Sequence, residues 1–280
     1  MMKQMRIKPR FSPAHWLAAM LLAVVAALVV TPYLLMLLSS FRTTAEMMRN
    51  PGVVLPIEWT LSGYIKVFQR APILRWFLNS LTITGSVTLA VLFTSTITGF
   101  VFAKYRFPFK EALFMLLLAT MMIPSQVTLI PSFLIVNALG LYNRLWALIV
   151  PGLVSVFGIF LARQFISEVP DSLCEAALID GCSSPGLYFR VILPQIRPAI
   201  SALAIFTFLG TWNDYLGPLI MLSEVERMTL PLALTFFNTN HHMDLGATMS
   251  AATLVMLPVI VVFLLFQKQF IKGVSITGMK

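Results

Sequence analysis

Long charge-free apolar runs alternate with short polar segments along the chain. Trp16–Leu38, Trp76–Ala103 and Leu245–Gln267 are each long enough to cross about 30 Å of hydrocarbon as a helix. Leu145–Ala162 is shorter, and Arg163 or Gln164 extends it by snorkelling. Pro198–Ser223 carries one charge, Asp214. Trp16, Trp76 and Trp146 stand at or beside the first residues of their runs, where interfacial anchors belong. The run Ala112–Asn143 also lacks charge, but as one helix it would be about 48 Å long, too long for one crossing. Two crossings would need a polar turn in the middle, and Pro124–Ser125–Gln126 is the candidate.

Positive charge decides how these runs are threaded. With one crossing in 112–143 and a cytoplasmic amino terminus, thirteen of the twenty Lys and Arg fall inside and seven outside. Splitting that run inverts everything after it and leaves nine inside and eleven outside. The inside excess of Lys and Arg in membrane proteins selects six spans with both termini cytoplasmic. It predicts one helix from 112 to about Leu134, kinked at Pro124 or Pro131, and a non-helical outer segment after it.

Composition fits this solvent. The chain is 58% hydrophobic and 11% charged, against about 25% charged in soluble domains. The net charge of +9 suits an anionic cytoplasmic leaflet. It does not point to nucleic acid, because the basic residues are spread over four loops. The first run is too long for a secretory h-region and lacks a small-residue cleavage site, so it reads as a retained anchor. Cys174 and Cys182 lie in the expected cytoplasmic loop, where thiols stay reduced. His15, His241 and His242 lie elsewhere, so no metal site is expected. His241–His242 reads as a hydrated loop pair, with metal binding or pH sensing as the alternative.

The loop Gln164–Arg197 has its own helix signals. Ser172 to Glu175 is the S-x-x-E pattern of a capping box. Gly181 suits a left-handed helix end. Ser184–Pro185 starts a second helix with proline in its first turn, and Pro194 is expected to stop it. Ala176, Ala177 and Gly181 are small enough for another backbone to approach. Leu178, Ile179, Leu187, Phe189, Val191 and Ile192 are too apolar for a free loop. Two readings follow: an interface for another protein, or a loop folded back on its own bundle with Glu175 as a helix cap.

Glu175–Ala176–Ala177, Asp180–Gly181 and Ile192–Leu193–Pro194 together resemble the coupling-loop signature of permease subunits in bacterial ATP-binding-cassette importers. Thr211–Trp212–Asn213–Asp214–Tyr215 resembles the fifth-span signature of the carbohydrate-type branch and of its smaller permease. Gln267–Gly273 and the closing Thr277–Lys280 resemble that branch as well. One departure is Cys182, where the family most often has Ala. The resemblance covers about residues 16–280. It implies an all-α polytopic membrane protein with the six transmembrane helices of the type I importer permease fold and a cytoplasmic coupling helix. The implied layout is a cytoplasmic tail (1–15), a first span (16–38), a periplasmic segment (39–75), a core (76–270) holding the coupling loop (164–197), and a cytoplasmic tail (271–280).

The resemblance also implies a division of labour. The chain binds no cofactor and is not an enzyme; ATP and Mg belong to a pair of ATP-binding subunits. Consistently, no G-x-x-x-x-G-K-[ST] loop is present. The other implied partners are a second, different permease, an extracytoplasmic solute-binding protein and the lipid bilayer, in the bacterial inner membrane. Glu175, Ala176, Ala177, Asp180, Gly181, Ile192, Leu193 and Pro194 would couple to the ATPase, with Glu175 pairing a basic residue there. Arg42–Arg75 and Glu224–Asp244 would face the binding protein.

Thr88 and Ser95, in a second span rich in hydroxyls, suit either helix packing or a solute path. Trp212, Asn213, Asp214 and Tyr215 are the other path candidates. Asp214 lies about 24 Å along a helix from Pro198, near the outer interface, to cap, pair or meet cargo. Trp212 and Tyr215 suit stacking on a sugar ring or interfacial anchoring. The spans hold no Lys or Arg, which favours a neutral mono- or oligosaccharide over an anionic cargo such as a glycerol phosphate; a polyol stays open as the alternative. A stand-alone secondary transporter or channel would need an intramembrane ionisable relay or inverted repeats, and a membrane enzyme would need clustered His, Asp, Glu or Cys.

Overall fold

The structure, a computed structural model, describes residues 13–239 and 242–277, with side chains from 16 to 237 and from 244 to 267. Its chain divides into two compact units, Met1–Val67 with Phe237–Thr253, and Phe68–Phe236 with Leu254–Lys280.

The first unit contains α1 (Pro13–Ser39) and α2 (Thr44–Arg49), and takes in the start of α3 (Ser62–Arg70). The most apolar window of α1 has no buried residue, as suits a helix that is hydrophobic on every side. After it the chain turns around Arg42, which is 3% exposed. Its guanidinium donates to Glu46 Oε1 at 2.8 Å, to the Val53 carbonyl at 2.6 Å and to the Asn50 carbonyl at 3.0 Å. A buried cation is tolerable because its donors are met. Two short antiparallel strands, β1 (Asn238–Thr239) and β2 (His242–Met243), precede α15 (Leu245–Thr277). Asp244 accepts from Thr44 Oγ1 at 2.7 Å and from Lys66 Nζ at 2.9 Å. Burial opposes its charge, but these bonds and the Ala247 N–H hold its carboxyl below the usual range. The side chains of His241 and His242 lie outside the described residues.

The second unit is built on α4 (Ile73–Lys104). Packed along it are α8 (Val156–Ser167) and α12 (Arg197–Trp212). Small residues set that approach. A Cβ on Gly158 would lie 2.3 Å from Ser95 Oγ, and one on Gly99 would lie 2.8 Å from the backbone nitrogen of Arg163. Hydroxyls of α4 turn inward: Thr94 donates to the Leu153 carbonyl at 2.9 Å, and Ser80 accepts from the Leu230 N–H at 2.8 Å. Leu78, Leu89 and Phe93 turn outward. This inside-out arrangement is the one lipid selects.

Among the described residues α1, α4 and α15 are long and apolar enough to cross alone. The other expected spans are interrupted. The run 112–143 is two helices, α5 (Lys110–Thr120) and α6 (Ser125–Ala138), bent by 96°. That exceeds the expected kink, because Pro124 is extended (φ −59°, ψ 134°) and has no N–H to continue the helix. By contrast α6 passes through Pro131 and runs beyond Leu134. The run 145–162 breaks between α7 (Trp146–Ile149) and α8, which Ser155 caps by accepting the Gly158 N–H. The run 198–223 breaks at 213–215, between α12 and α13 (Leu216–Met221). Trp76 is no interfacial anchor. It is fully buried, donates to the Val225 carbonyl at 2.6 Å and lies edge-on to Phe236 of α14 (Ala233–Phe236). Trp16 and Trp146 stay exposed.

Candidate functional site

The loop after α8 forms two short helices. The first, α9 (Asp171–Ile179), ends as its sequence suggests. Gly181 has φ +80°. The Cys182 N–H reaches the Ala177 carbonyl at 2.9 Å, and the Gly181 N–H reaches Leu178 at 3.0 Å, the bond pair of a Schellman end. Its start differs from the expected capping box. Pro170 occupies the cap position without a side-chain hydrogen bond, and Ser172 sits inside the first turn. The start is held instead by Lys104, whose ammonium donates to Asp171 Oδ1 at 2.6 Å and to the Val169 carbonyl at 2.6 Å. The hydrogen bond from Lys104 keeps the Asp171 carboxyl below the usual range.

The second helix is continuous but mixed: α10 (Ser184–Gly186), a π turn (Leu187–Ile192) and α11 (Leu193–Gln195). Ser183 caps it by accepting the Gly186 N–H at 3.3 Å. Pro194 stands in its last turn; the helix ends one residue later, at Gln195, before a 79° bend into α12. In an α-helix the Pro194 ring would press on the Arg190 carbonyl. Here the Leu193 N–H bonds to the Tyr188 carbonyl, five residues back, and the wider turn accommodates the proline.

One side of this helix pair is packed on its own unit. Cys174, Leu187, Tyr188, Ile192 and Ile196 form a cluster with Phe100, Ala162, Ile166, Val169 and Ala199. The Tyr188 hydroxyl is 2.7 Å from Thr96 Oγ1. Burial pushes the Cys174 thiol up, which makes it unreactive. Ala177, Val191 and Leu193 lie against the same cluster, and Pro194 is half-buried. The other side is bare. Glu175, Ala176, Asp180 and Gly181 are exposed. So are Leu173, Leu178 and Phe189, and Ile179 is 86% exposed. The loop is thus a self-packed base carrying an uncovered apolar tip, and Glu175 is not its helix cap. On the neighbouring side, Arg163 donates to both carboxylate oxygens of Glu111 at 2.9 Å and stacks 3.8 Å over Phe114.

The solute-path candidates divide. Trp212 is 1% exposed, stacks on Phe208 and donates to the Val255 carbonyl at 3.2 Å. It neither faces solute nor anchors at an interface; its ring is part of the packing, with its one donor met. Ser95 is fully buried beneath Gly158, a helix crossing rather than a path. Thr88 Oγ1 is buried without a hydrogen-bond partner. Asn213 donates to the Leu209 carbonyl at 2.9 Å, closing the end of α12. Tyr215 is half-buried.

Asp214 lies in the α12–α13 break, where its Oδ1 accepts from the Gly217 N–H at 3.2 Å. It lines a cavity of about 310 Å³ together with Ser125, Thr128, Ser132, Gly152 and Thr211. Sequence reasoning missed the hydroxyls of α6. Their spacing, 125, 128 and 132, is that of one helix face, but the reading of one kinked crossing gave that face no neighbour.

Comparison with known proteins agrees with this architecture. Residues 95–276 match the family described as "Binding-protein-dependent transport system inner membrane component". The chain is 33% identical over 279 residues to the arabinooligosaccharides transport system permease protein AraQ of Halalkalibacterium halodurans, covering 98% of this chain and 100% of that one. It superposes with a TM-score of 0.81, at 20% identity, on a chain from a bacterial ABC transporter involved in the import of the acidic polysaccharide alginate, covering 94% of this chain and 100% of that one. A bacterial alginate ABC transporter in complex with alginate pentasaccharide-bound periplasmic protein gives 0.65 at 14% identity, with 89% and 92% covered.

Proposed function

The chain belongs to the family of binding-protein-dependent transport system inner membrane components, and we propose that it couples ATP use on another polypeptide to the import of a neutral oligosaccharide. It is a permease subunit in a multi-pass membrane protein fold. The observation that carries the coupling role is the uncovered tip of α9: Glu175, Ala176 and Ile179 exposed on a helix whose base is packed and pinned by Lys104. An apolar surface of this kind calls for a protein partner, and a pinned helix transmits displacement rather than absorbing it.

The partners of this reading are paired ATP-binding subunits that hold ATP and Mg, a second permease, and an extracytoplasmic solute-binding protein. Glu175 meets a basic residue of the ATPase. Both termini lie in the cytoplasm, supported by the distribution of Lys and Arg. The saccharide cargo is supported by the relative's transport of arabinooligosaccharides, and its neutrality by the lack of Lys and Arg in the apolar runs.

The test is purification of the tagged chain in mild detergent from its own membranes, followed by uptake and ATPase assays on what accompanies it. An ATPase and a second permease are expected to co-purify. Glu175→Lys and Gly181→Asp are expected to abolish uptake while leaving the chain inserted. Recovery of the chain alone, from membranes whose known complexes survive, or full uptake by either variant, overturns the reading.

A further inference from the structure

We propose that this subunit touches the cargo itself: the cavity beside Asp214 is a subsite for a neutral, polyhydroxylated segment of the transported saccharide. The proposal rests on the importer reading above and deepens it, since that reading leaves cargo contact to either permease.

Three helix interruptions meet at this one cavity. Ser125 follows the α5–α6 break, Gly152 lies in the α7–α8 break and Asp214 in the α12–α13 break, and all three line it. In lipid, non-helical backbone survives only where protein covers it or where it borders a water-filled cavity. One such break is unremarkable, but three opening on the same space make a hydrated compartment at membrane depth. Discontinuous helices serve this purpose in membrane transporters generally. The volume, about 310 Å³, stands at the lower end of small-molecule pockets and suits a short segment of a sugar chain.

The lining chemistry names the ligand class. Ser125, Thr128 and Ser132 present hydroxyls from one face of α6, and Thr211 adds another from α12. Thr128 donates to the Ser125 carbonyl at 2.9 Å, which leaves its oxygen free to accept. Asp214 gives one carboxylate oxygen to the Gly217 N–H. A Cβ at Gly217 would lie 2.4 Å from the other, so glycine is needed for the carboxylate to sit there. A carboxylate accepts from sugar hydroxyls, and serine and threonine both donate and accept. No Lys or Arg is among the lining residues, and the Asp214 carboxylate repels a carboxylate or phosphate brought beside it. An uncharged saccharide fits this wall and an acidic one does not.

The experiment uses the complete complex in proteoliposomes with its binding protein. The probes are arabinotriose, maltotriose, xylotriose and, as the acidic counterpart, trigalacturonate. Asp214→Asn keeps the acceptor for Gly217 while removing the charge; a Thr128→Val/Ser132→Ala double variant alters the opposite wall. Uptake by the wild type of a neutral trisaccharide and not of trigalacturonate is expected. In both variants sugar-stimulated ATP hydrolysis is expected to persist while sugar delivered per ATP falls about tenfold, the scale of a lost charge-assisted hydrogen bond. An unchanged ratio in both variants overturns the subsite. ATP hydrolysis and uptake falling in step in both also overturns it, since the wall would then be only structural. Wild-type uptake of trigalacturonate alone defeats the neutral-cargo reading and the subsite together. A wild-type complex with no stimulated ATP hydrolysis defeats the importer reading and the subsite with it.

Discussion

The seam between α4 and α8 and the tip of α9 treat apolar side chains alike and for opposite reasons. Along α4, Ser80, Thr84, Ser95 and Thr96 are buried while Leu89 and Phe93 face outward. Lipid is the solvent for that helix, so its outward apolar side chains cost nothing. On α9, Leu178 and Ile179 also face outward, but on a segment flanked by Lys104, Asp171 and Glu175, where water is the solvent. There each exposed aliphatic forgoes about 1.5–3 kcal/mol of burial. Exposure alone therefore does not distinguish a lipid-facing helix from a docking surface; the charges nearby do.

The comparison breaks most severely at its tightest point. Gly158→Leu is expected to force α4 and α8 apart, cost about 3 kcal/mol and abolish a monodisperse peak in size-exclusion chromatography. Ile179→Asp is expected to leave Tm unchanged and to cut uptake and ATPase co-purification by more than about tenfold, an interface effect without a fold effect. A matching drop in Tm would mean that the tip is part of the core. Gly181→Val meets no steric neighbour within 4 Å, so its cost of about 1–2 kcal/mol is conformational; Gly181→Asn is expected to recover most of it, read by protease resistance of the loop.

A smaller effect is expected from acid. Lys104 lowers the Asp171 pKa, so the stabilisation is fully present above the unfolded carboxyl value of about 3.9. It is lost as pH falls from there through the depressed folded value. Hydrogen exchange in the first turn of α9 is expected to accelerate over that window, and Asp171→Asn to remove the pH dependence. Ser172→Ala, with no cap to lose, is expected to change stability by less than about 0.5 kcal/mol.

The membrane class and the end of α9 were legible because their signals are local. Charge-free length marks a span, and Gly181 marks a helix end from its own backbone preference. The interruptions were not legible in the same way. Pro131 is carried inside a helix while Pro124 stands at the cap before one, and Pro194 follows a π turn that accommodates it. The identity of the residue is the same in each case, and the neighbouring carbonyls decide the outcome. Trp76 and Trp212 misled for a related reason. Each looks like an interfacial aromatic in sequence, yet each ring is buried and finds a backbone carbonyl for its indole N–H, a partner supplied by a segment far along the chain. Ser172 matched a capping box, but the helix is capped two residues earlier, at Pro170, which leaves Ser172 inside the first turn.

The π turn at Leu187–Ile192 has a consequence for chain length. The buried positions around it, Leu187, Ile192, Ile196 and Ala199, are spaced by five, four and three residues. An α-helix turns about 100° per residue. Deleting any one residue of the turn would remove its extra width, press the Pro194 ring on a carbonyl and swing everything before it by that angle, Glu175 and Ile179 included. Every side chain would survive chemically intact. At the level of the gene, this stretch is expected to accept many single-codon substitutions and no single-codon deletion.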